Sequence, residues 1–422
     1  MIATVDASTC PSVFDAGLPM IDYEHCQSPD EAHLILHEAR RQAPIAIGPH
    51  VPEVLTYELV RSVLRDSRFR LPQGMFLASQ GITTGPLWER VATNLVSLDG
   101  AEHHRLRRLV SKAFTPRATA RLRTTIVEVI TELLDHHAAI GRCEVVTDIA
   151  RQYPIPIICA LLGAPAEDWK LFSEWTDDIL KAFSWEAAAH QRAILSAWEE
   201  LDAYIDDMVA ERRHRLTDDL ISDLIRAEDD GDHLNADELR MLAAGLLVGG
   251  TDTTRNQLAA SVHAMCDRPD QWELLAAHPD LANSAVEETM RHSPIAAAAL
   301  RIALEDVEIA GVVIPAGTLV IANTAAANRD PAVYDDPDRL DITRVGAPAM
   351  QTFGAGMHYC LGANLARLEL AEALATMAQR MPNARRTGPA PSKPLTGLSG
   401  PTTLPIEFGP ISMNTVTIAR CG

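Results

Sequence analysis

Phe353-Gly354-Ala355-Gly356-Met357-His358-Tyr359-Cys360-Leu361-Gly362 is the stretch that decides how the rest of this chain is read. Two glycines precede the cysteine and a third follows it. Glycine reaches backbone conformations and close approaches that a Cβ would block, so the pattern predicts a tightly wound loop. A helical pattern rich in Ala, Leu, Glu and Arg follows at once, from Leu361 through Met381. A sulfur at the start of that helix faces the positive end of the helix dipole and several unpaired N–H groups. Both favour the thiolate at neutral pH. Such a loop can hold a sulfur beneath a flat cofactor, with His358 in reach of an anionic edge. The competing reading is a buried structural cysteine after a Gly-rich turn.

The stretch resembles the haem-binding loop of the cytochrome P-450 family, F-G-x-G-x-H-x-C-x-G, at every specified position. The resemblance implies that Cys360 is the metal ligand, axial to the iron of haem b. It also implies that His358 meets a propionate and that Phe353 shields the sulfur. A thiolate ligand donates electron density to iron and favours O–O cleavage.

Asn235-Ala236-Asp237-Glu238 reads as a capped helix start. The helical pattern then runs to about Cys266, where Asp267-Arg268-Pro269 stops it. About thirty residues make a rod of roughly 45 Å, enough to cross a domain. Gly245, Gly249 and Gly250 lie inside it, each costing about 1 kcal/mol relative to alanine. Close helix packing would explain them, and so would a planar ligand against the helix. Gly249 and Thr253 share a face at i, i+4, with Asp252 beside them. An acid–alcohol pair can hold oxygen and water and pass protons. Residues Gly249 to Thr254 resemble the family's oxygen-activation motif, (A/G)-G-x-(D/E)-T-(T/S). That implies Asp252 and Thr253 as the catalytic pair, Gly249 as a haem contact, and a monooxygenase.

His103 to Arg123 is densely basic, and a charge run of this kind is ordinarily a solvated helix face. His103 and Arg107 share a face, while Arg105, Arg108 and Lys112 point elsewhere. The segment resembles the family's H-x-x-x-R helix, which implies that His103 and Arg107 bind haem propionates. His104 is a rival to His103, and the family's paired prolines before this helix are replaced by Asp99-Gly100-Ala101-Glu102. Glu288 and Arg291 are spaced for a helical ion pair. With His292-Ser293-Pro294 and then Arg301 they resemble the family's E-x-x-R helix and its propionate-binding arginine. Arg339 is a candidate third member of a buried ionic cluster there.

The segment Leu71 to Asp99 mixes Gly and Pro with Met75, Phe76, Leu77, Ile82, Leu87 and Trp88, as a binding loop or a packed loop would. The resemblance makes it a substrate-contacting loop. Ala296 to Ala299 would leave a roomy apolar cavity over the haem. With Leu246, Leu247 and Val248 these alanines point to a bulky polycyclic, steroid- or terpenoid-like substrate. Val307-Glu308-Ile309 and Thr318-Leu319-Val320 flank Pro315-Ala316-Gly317 like a hairpin. Aromatics cluster between Trp169 and Trp198, where the family has a mobile lid; core packing explains most of them equally well.

The chain has 422 residues and a formal charge of −20, which argues against nucleic acid or an anionic membrane as main partner. No apolar run approaches the ~20 residues that span a bilayer, and Met1 to Met20 lacks a signal-peptide pattern. Seven cysteines show neither metal-type spacing nor C-x-x-C-H, as in a reducing cytoplasm. The expected fold class is mainly α with small β-sheets (α+β), the cytochrome P-450 fold. An irregular segment over 1–28 precedes one domain over 29–422. The resemblance implies electrons from NAD(P)H through ferredoxin reductase and a ferredoxin, with O₂ and an apolar small molecule as substrates. A peroxide-driven peroxygenase and a non-catalytic haem sensor of gas or ligand are the alternatives.

Overall fold

The helix expected after Asn235 is present over Ala236–Cys266, 31 residues long. Its start is a full capping box: the Asn235 side chain accepts from the Glu238 N–H, and the Glu238 carboxylate accepts from the Asn235 N–H. The helix is buried on most sides, as befits the central rod of a large core. Helices Pro154–Leu162, Trp169–Ile179, Ala282–His292 and Ala363–Arg380 pack around it. The computed structural model describes residues 10–74, 76–229 and 234–409. Met75 and the end of the tail therefore lie outside the described residues. Within the irregular segment over 1–28, residues 10–28 carry bridges from Ser12 to Val313 and from Met20 to Ile47 but no helix.

A five-stranded sheet lies to one side, in the order Ile45–Ile47, Pro52–Val54, Leu319–Asn323, Ala298–Ala303, Phe69–Arg70. The pairing of Pro52–Val54 with Leu319–Asn323 is parallel; the other pairings are antiparallel. The expected hairpin is corrected by this sheet. Val307–Ile309 pairs with Val312–Ile314 instead, through Ala310 and Gly311, both at positive φ. That two-residue turn matches the twist of an antiparallel pair. Pro315-Ala316-Gly317 leads away from the hairpin into the large sheet.

One stretch, Val145–Leu162, is apolar and long enough by composition to cross a bilayer. It is broken between Ala150 and Pro154, and Val145, Ile149, Ile155, Ile157 and Leu162 are all fully buried in the main core.

Glu288 and Arg291 form the expected ion pair, with Nε to Oε2 at 2.7 Å and Nη2 to Oε1 at 2.8 Å. Both side chains are almost fully buried. Arg344, not Arg339, is the third charged member: its Nε lies 3.2 Å from Glu288 Oε2. Arg339 instead offers its backbone carbonyl to Arg291, at 3.0 Å, while its own guanidinium is exposed beside Asp341. Sequence spacing could not separate a backbone acceptor from a side-chain partner.

Removing one member of a buried pair strands the other charge. Arg291→Ala is therefore expected to lower unfolding free energy by about 3–5 kcal/mol, read from the denaturant midpoint. A second expectation concerns His292, which burial, with Arg329 and Arg291 alongside, pushes down to about 3. Between pH 6.5 and about 3 the unfolded chain takes up this proton before the folded one does. Stability thus falls as pH drops through that window. His292→Gln should flatten this part of the pH–stability curve.

Candidate functional site

The cysteine loop is wound as its glycines suggest. Gly354 and Gly356 sit at φ +69° and +70°, a region that L side chains avoid. A Cβ on Gly356 would also lie 2.6 Å from the Leu64 carbonyl, so this glycine is required by close approach as well. The Cys360 N–H closes the loop on the Phe353 carbonyl at 2.9 Å. The helix beyond begins at Ala363 rather than at the cysteine. Cys360 is partly buried, and burial pushes its thiol up. A hydrogen bond from the Gly362 backbone and the charges of Arg107 and Arg367 pull the other way without prevailing. Desolvation thus opposes the helix-terminus effect expected from the sequence. Phe353 is buried at the base of the loop, with the Arg367 guanidinium 4.5 Å from its ring centroid.

Four basic groups gather beside this loop. His103 is 1% exposed, whereas its rival His104 is exposed. The His103 and His358 rings lie 4.3 Å apart. His103 Nδ1 and His358 Nε2 are buried and make no hydrogen bond among the described residues. Arg301 is buried and gives one hydrogen bond, to the adjoining Leu300 carbonyl at 2.8 Å. Arg107 reaches across to the Tyr359 carbonyl. Asp99 is the acid in this group, 3.8 Å from His358 Nε2. Burial pushes Arg301 down to about 10 and, with the positive neighbours His103 and Arg301, His358 down to about 4. Buried donors without acceptors and cations without counter-charges are costly. A cluster with this excess of basic groups suits anionic oxygens.

Two glycines of the long helix, Gly249 and Gly250, divide between the two explanations weighed above. A Cβ on Gly250 would meet Ile158 Cδ1 at 2.9 Å, so Gly250 serves helix packing. A Cβ on Gly249 would meet nothing within 4 Å, and the same holds at Gly354 and Gly362 on the cysteine loop. Gly249 therefore faces open space. Thr253 lies one turn on, and its Oγ1 donates to the Gly249 carbonyl at 2.8 Å. Asp252 is buried and paired with Arg255, which also reaches Asp177 on the helix Trp169–Ile179. The expected acid–alcohol pair is present, but its acid is held by a cation that spacing did not single out.

A flat group bearing two carboxylates and a metal that binds sulfur fits these residues. Cys360 would supply the sulfur, His103, Arg107, Arg301 and His358 the complement to the carboxylates, and Gly249 the clearance. Haem b has that chemistry.

A family profile described as Cytochrome P450 matches residues 54–278 and 271–382. The chain is 43% identical over 335 residues to mycinamicin IV hydroxylase/epoxidase of Micromonospora griseorubida, covering 79% of this chain and 82% of that protein. It is 38% identical over 363 residues to nocardicin C N-oxygenase of Nocardia uniformis subsp. tsuyamanensis, covering 84% and 89%. The crystal structure of CalO2 superposes with a TM-score of 0.87 at 31% identity, covering 94% of this chain and all of that one.

The contrast between neighbouring glycines is testable. Gly249→Ala should gain about 1 kcal/mol of stability from helix propensity, because its Cβ enters open space. Gly250→Ala should show no such gain, because Ile158 must move. Denaturation of the two haem-free variants side by side reads the difference.

Proposed function

The chain belongs to the cytochrome P450 family, and on that premise we propose that it inserts one oxygen atom of O₂ into a bulky apolar molecule, steroid- or terpenoid-like in size. Electrons come from NAD(P)H through ferredoxin reductase and a ferredoxin in the cytoplasm. Its relatives include a hydroxylase/epoxidase and an N-oxygenase, so oxygen insertion is common to different substrates. The observation that carries the reading is Thr253 bonded to Gly249, where a Cβ would meet nothing within 4 Å, with the buried Asp252 next to it on the same helix.

Bound haem supplies the redox chemistry that activates O₂. The residues of this chain hold it, keep water out and deliver protons. His103, Arg107, Arg301 and His358 would neutralise its carboxylates, and Cys360 would provide a sulfur ligand to its iron. Thr253 spends its hydroxyl hydrogen on the Gly249 carbonyl, at 2.8 Å. What it offers the open side is an acceptor lone pair, which can hold the hydrogen of a protonated oxygen or water. Asp252 is the proton carrier. Arg255 bridges Asp252 and Asp177, and Asp177 also meets Arg151, whose side chain is 41% exposed. When Arg255 leans to Asp177, Asp252 is released to accept a proton from solvent and pass it inward.

The intact acid–alcohol pair favours this reading over a peroxide-driven enzyme, which has no need of proton delivery to O₂. Thr253→Ala should leave O₂ consumption running while product per O₂ falls several-fold, measured by oxygen electrode against product yield. Arg108 and Lys112 are exposed on the helix Gly100–Ser111 and at its end, close to the Arg107–Tyr359 contact. A ferredoxin docking there gains rate from charge complementarity. Charge reversal at both should slow haem reduction by ferredoxin by about tenfold at low salt, with a smaller effect at high salt. Unchanged stopped-flow reduction rates would place the partner elsewhere.

A further inference from the structure

Strand Ala298–Ala303 has a second face that the haem site does not use. Arg301 points to one side; Leu300, one residue earlier, points to the other. Leu300 pairs with Ile321, and Ile321 with Glu53, so the three form one row across the sheet. A cavity of about 50 Å³ lies against this row, lined also by Tyr23 and the segment Leu395 to Gly397. That volume holds a few waters or one small head group.

Glu53 is 2% exposed. Its Oε2 accepts from the Tyr23 hydroxyl at 2.8 Å and from Asn323 Nδ2 at 2.8 Å. Its Oε1 accepts no hydrogen bond among the described residues. That atom lies over Gly48, where a Cβ would sit 2.5 Å away. Burial pushes the carboxyl up to about 7, and the charged group acting on it is Glu24, of the same sign. Part of the cavity's lining is aromatic. The His50 ring stacks on Trp185 at 4.2 Å, and Phe76 meets Trp185 edge-on at 4.6 Å. Glu24 accepts from His50 Nε2 at 2.8 Å and completes the rim.

Three ligand chemistries can be weighed against this lining. An anion is repelled by Glu24 and Glu53. A purely apolar group would leave the free oxygen of Glu53 desolvated and unpaired. An alkylammonium pairs with the Glu53 carboxylate and lays its polarised methyl groups against aromatic faces, where cations are favoured. We propose that this cavity binds the protonated aliphatic amine of an otherwise apolar molecule, with Glu53 as its buried counter-ion and Trp185 and Phe76 as its walls. The proposal rests on the monooxygenase reading for that molecule's being a substrate. The amine preference itself is a property of the cavity.

The test is calorimetric titration of the haem-loaded protein with N,N-dimethyldecylamine and with its neutral counterpart, N,N-dimethyldecanamide. The amine should bind about tenfold more tightly than the amide. Glu53→Gln should bring the two affinities within about twofold of each other, by weakening the amine alone. Equal affinities in the native protein overturn the proposal, and so does a preference that survives in Glu53→Gln. Should that variant fail to fold, Glu24→Gln and Trp185→Leu at the rim carry the test, and an unchanged preference in both overturns it. Absence of turnover with amine preference intact would count against the monooxygenase reading alone. Turnover without amine preference would count against this site alone.

Discussion

The buried guanidinium of Arg291 is the constraint on which the functional site depends. Taking its charge and that of Glu288 out of water costs several kcal/mol each, so neither is tolerated unless every donor is matched. Five hydrogen bonds leave the guanidinium, two to Glu288 and one each to the carbonyls of Asn328, Pro337 and Arg339. Three backbone carbonyls must therefore arrive together at one end of the helix Ala282–His292. Asn328 passes the order on: its side chain accepts from the Gln351 N–H at 2.6 Å and donates to Thr352 Oγ1 at 2.8 Å. Thr352 in turn donates to the Met290 carbonyl of the same helix at 2.9 Å. The residues just ahead of Phe353 are thus pinned at both sides, and the cysteine loop inherits its position from an ion pair that touches no substrate.

The electrostatics of the loop show a protein prepared for a partner it does not contain in its own chain. Burial presses His103, His358 and Arg301 toward their neutral forms and presses Cys360 toward the thiol. A ligand with carboxylates at one edge and a metal at its centre relieves both pressures, since coordination removes the thiol proton outright. The helix terminus orients the sulfur. It does not ionise it unaided, because the long apolar surroundings that exclude water also withhold solvation from the anion.

Much of this was legible in the sequence, and the misses have identifiable causes. The cysteine loop, the capped helix from Asn235 and the E-x-x-R pair each rest on local chemistry at fixed spacing, and each is found where local rules put it. The Val307 hairpin was misread because alternation marks a strand but not its partner; Ala310 and Gly311 were the turn signal closer at hand. Arg344 was missed because tertiary folding, not helical period, brings it to Glu288. Glu53 and His50 left no signal at all. A single Glu in a short β unit is ordinary until the sheet places it beside Asn323, some 270 residues away.

The sheet explains why one strand can serve two purposes. Side chains alternate with a period of two, so Ala298–Ala303 offers Arg301 to one side and Leu300 to the other. A slip of one residue would exchange them, turning the Arg301 guanidinium toward the Glu53 side and removing it from the basic cluster. The register is held against that slip at the strand's start. Thr324 donates to the Ala296 carbonyl at 2.9 Å, and Asn323 binds Glu53 while its side-chain oxygen accepts from the Ala326 N–H. Asn323 therefore fixes the strand register and holds the buried carboxylate with the same amide. The buried carboxylate on one face of the sheet and the arginine of the basic cluster on the other are bound to a single pairing, and neither can drift without the other.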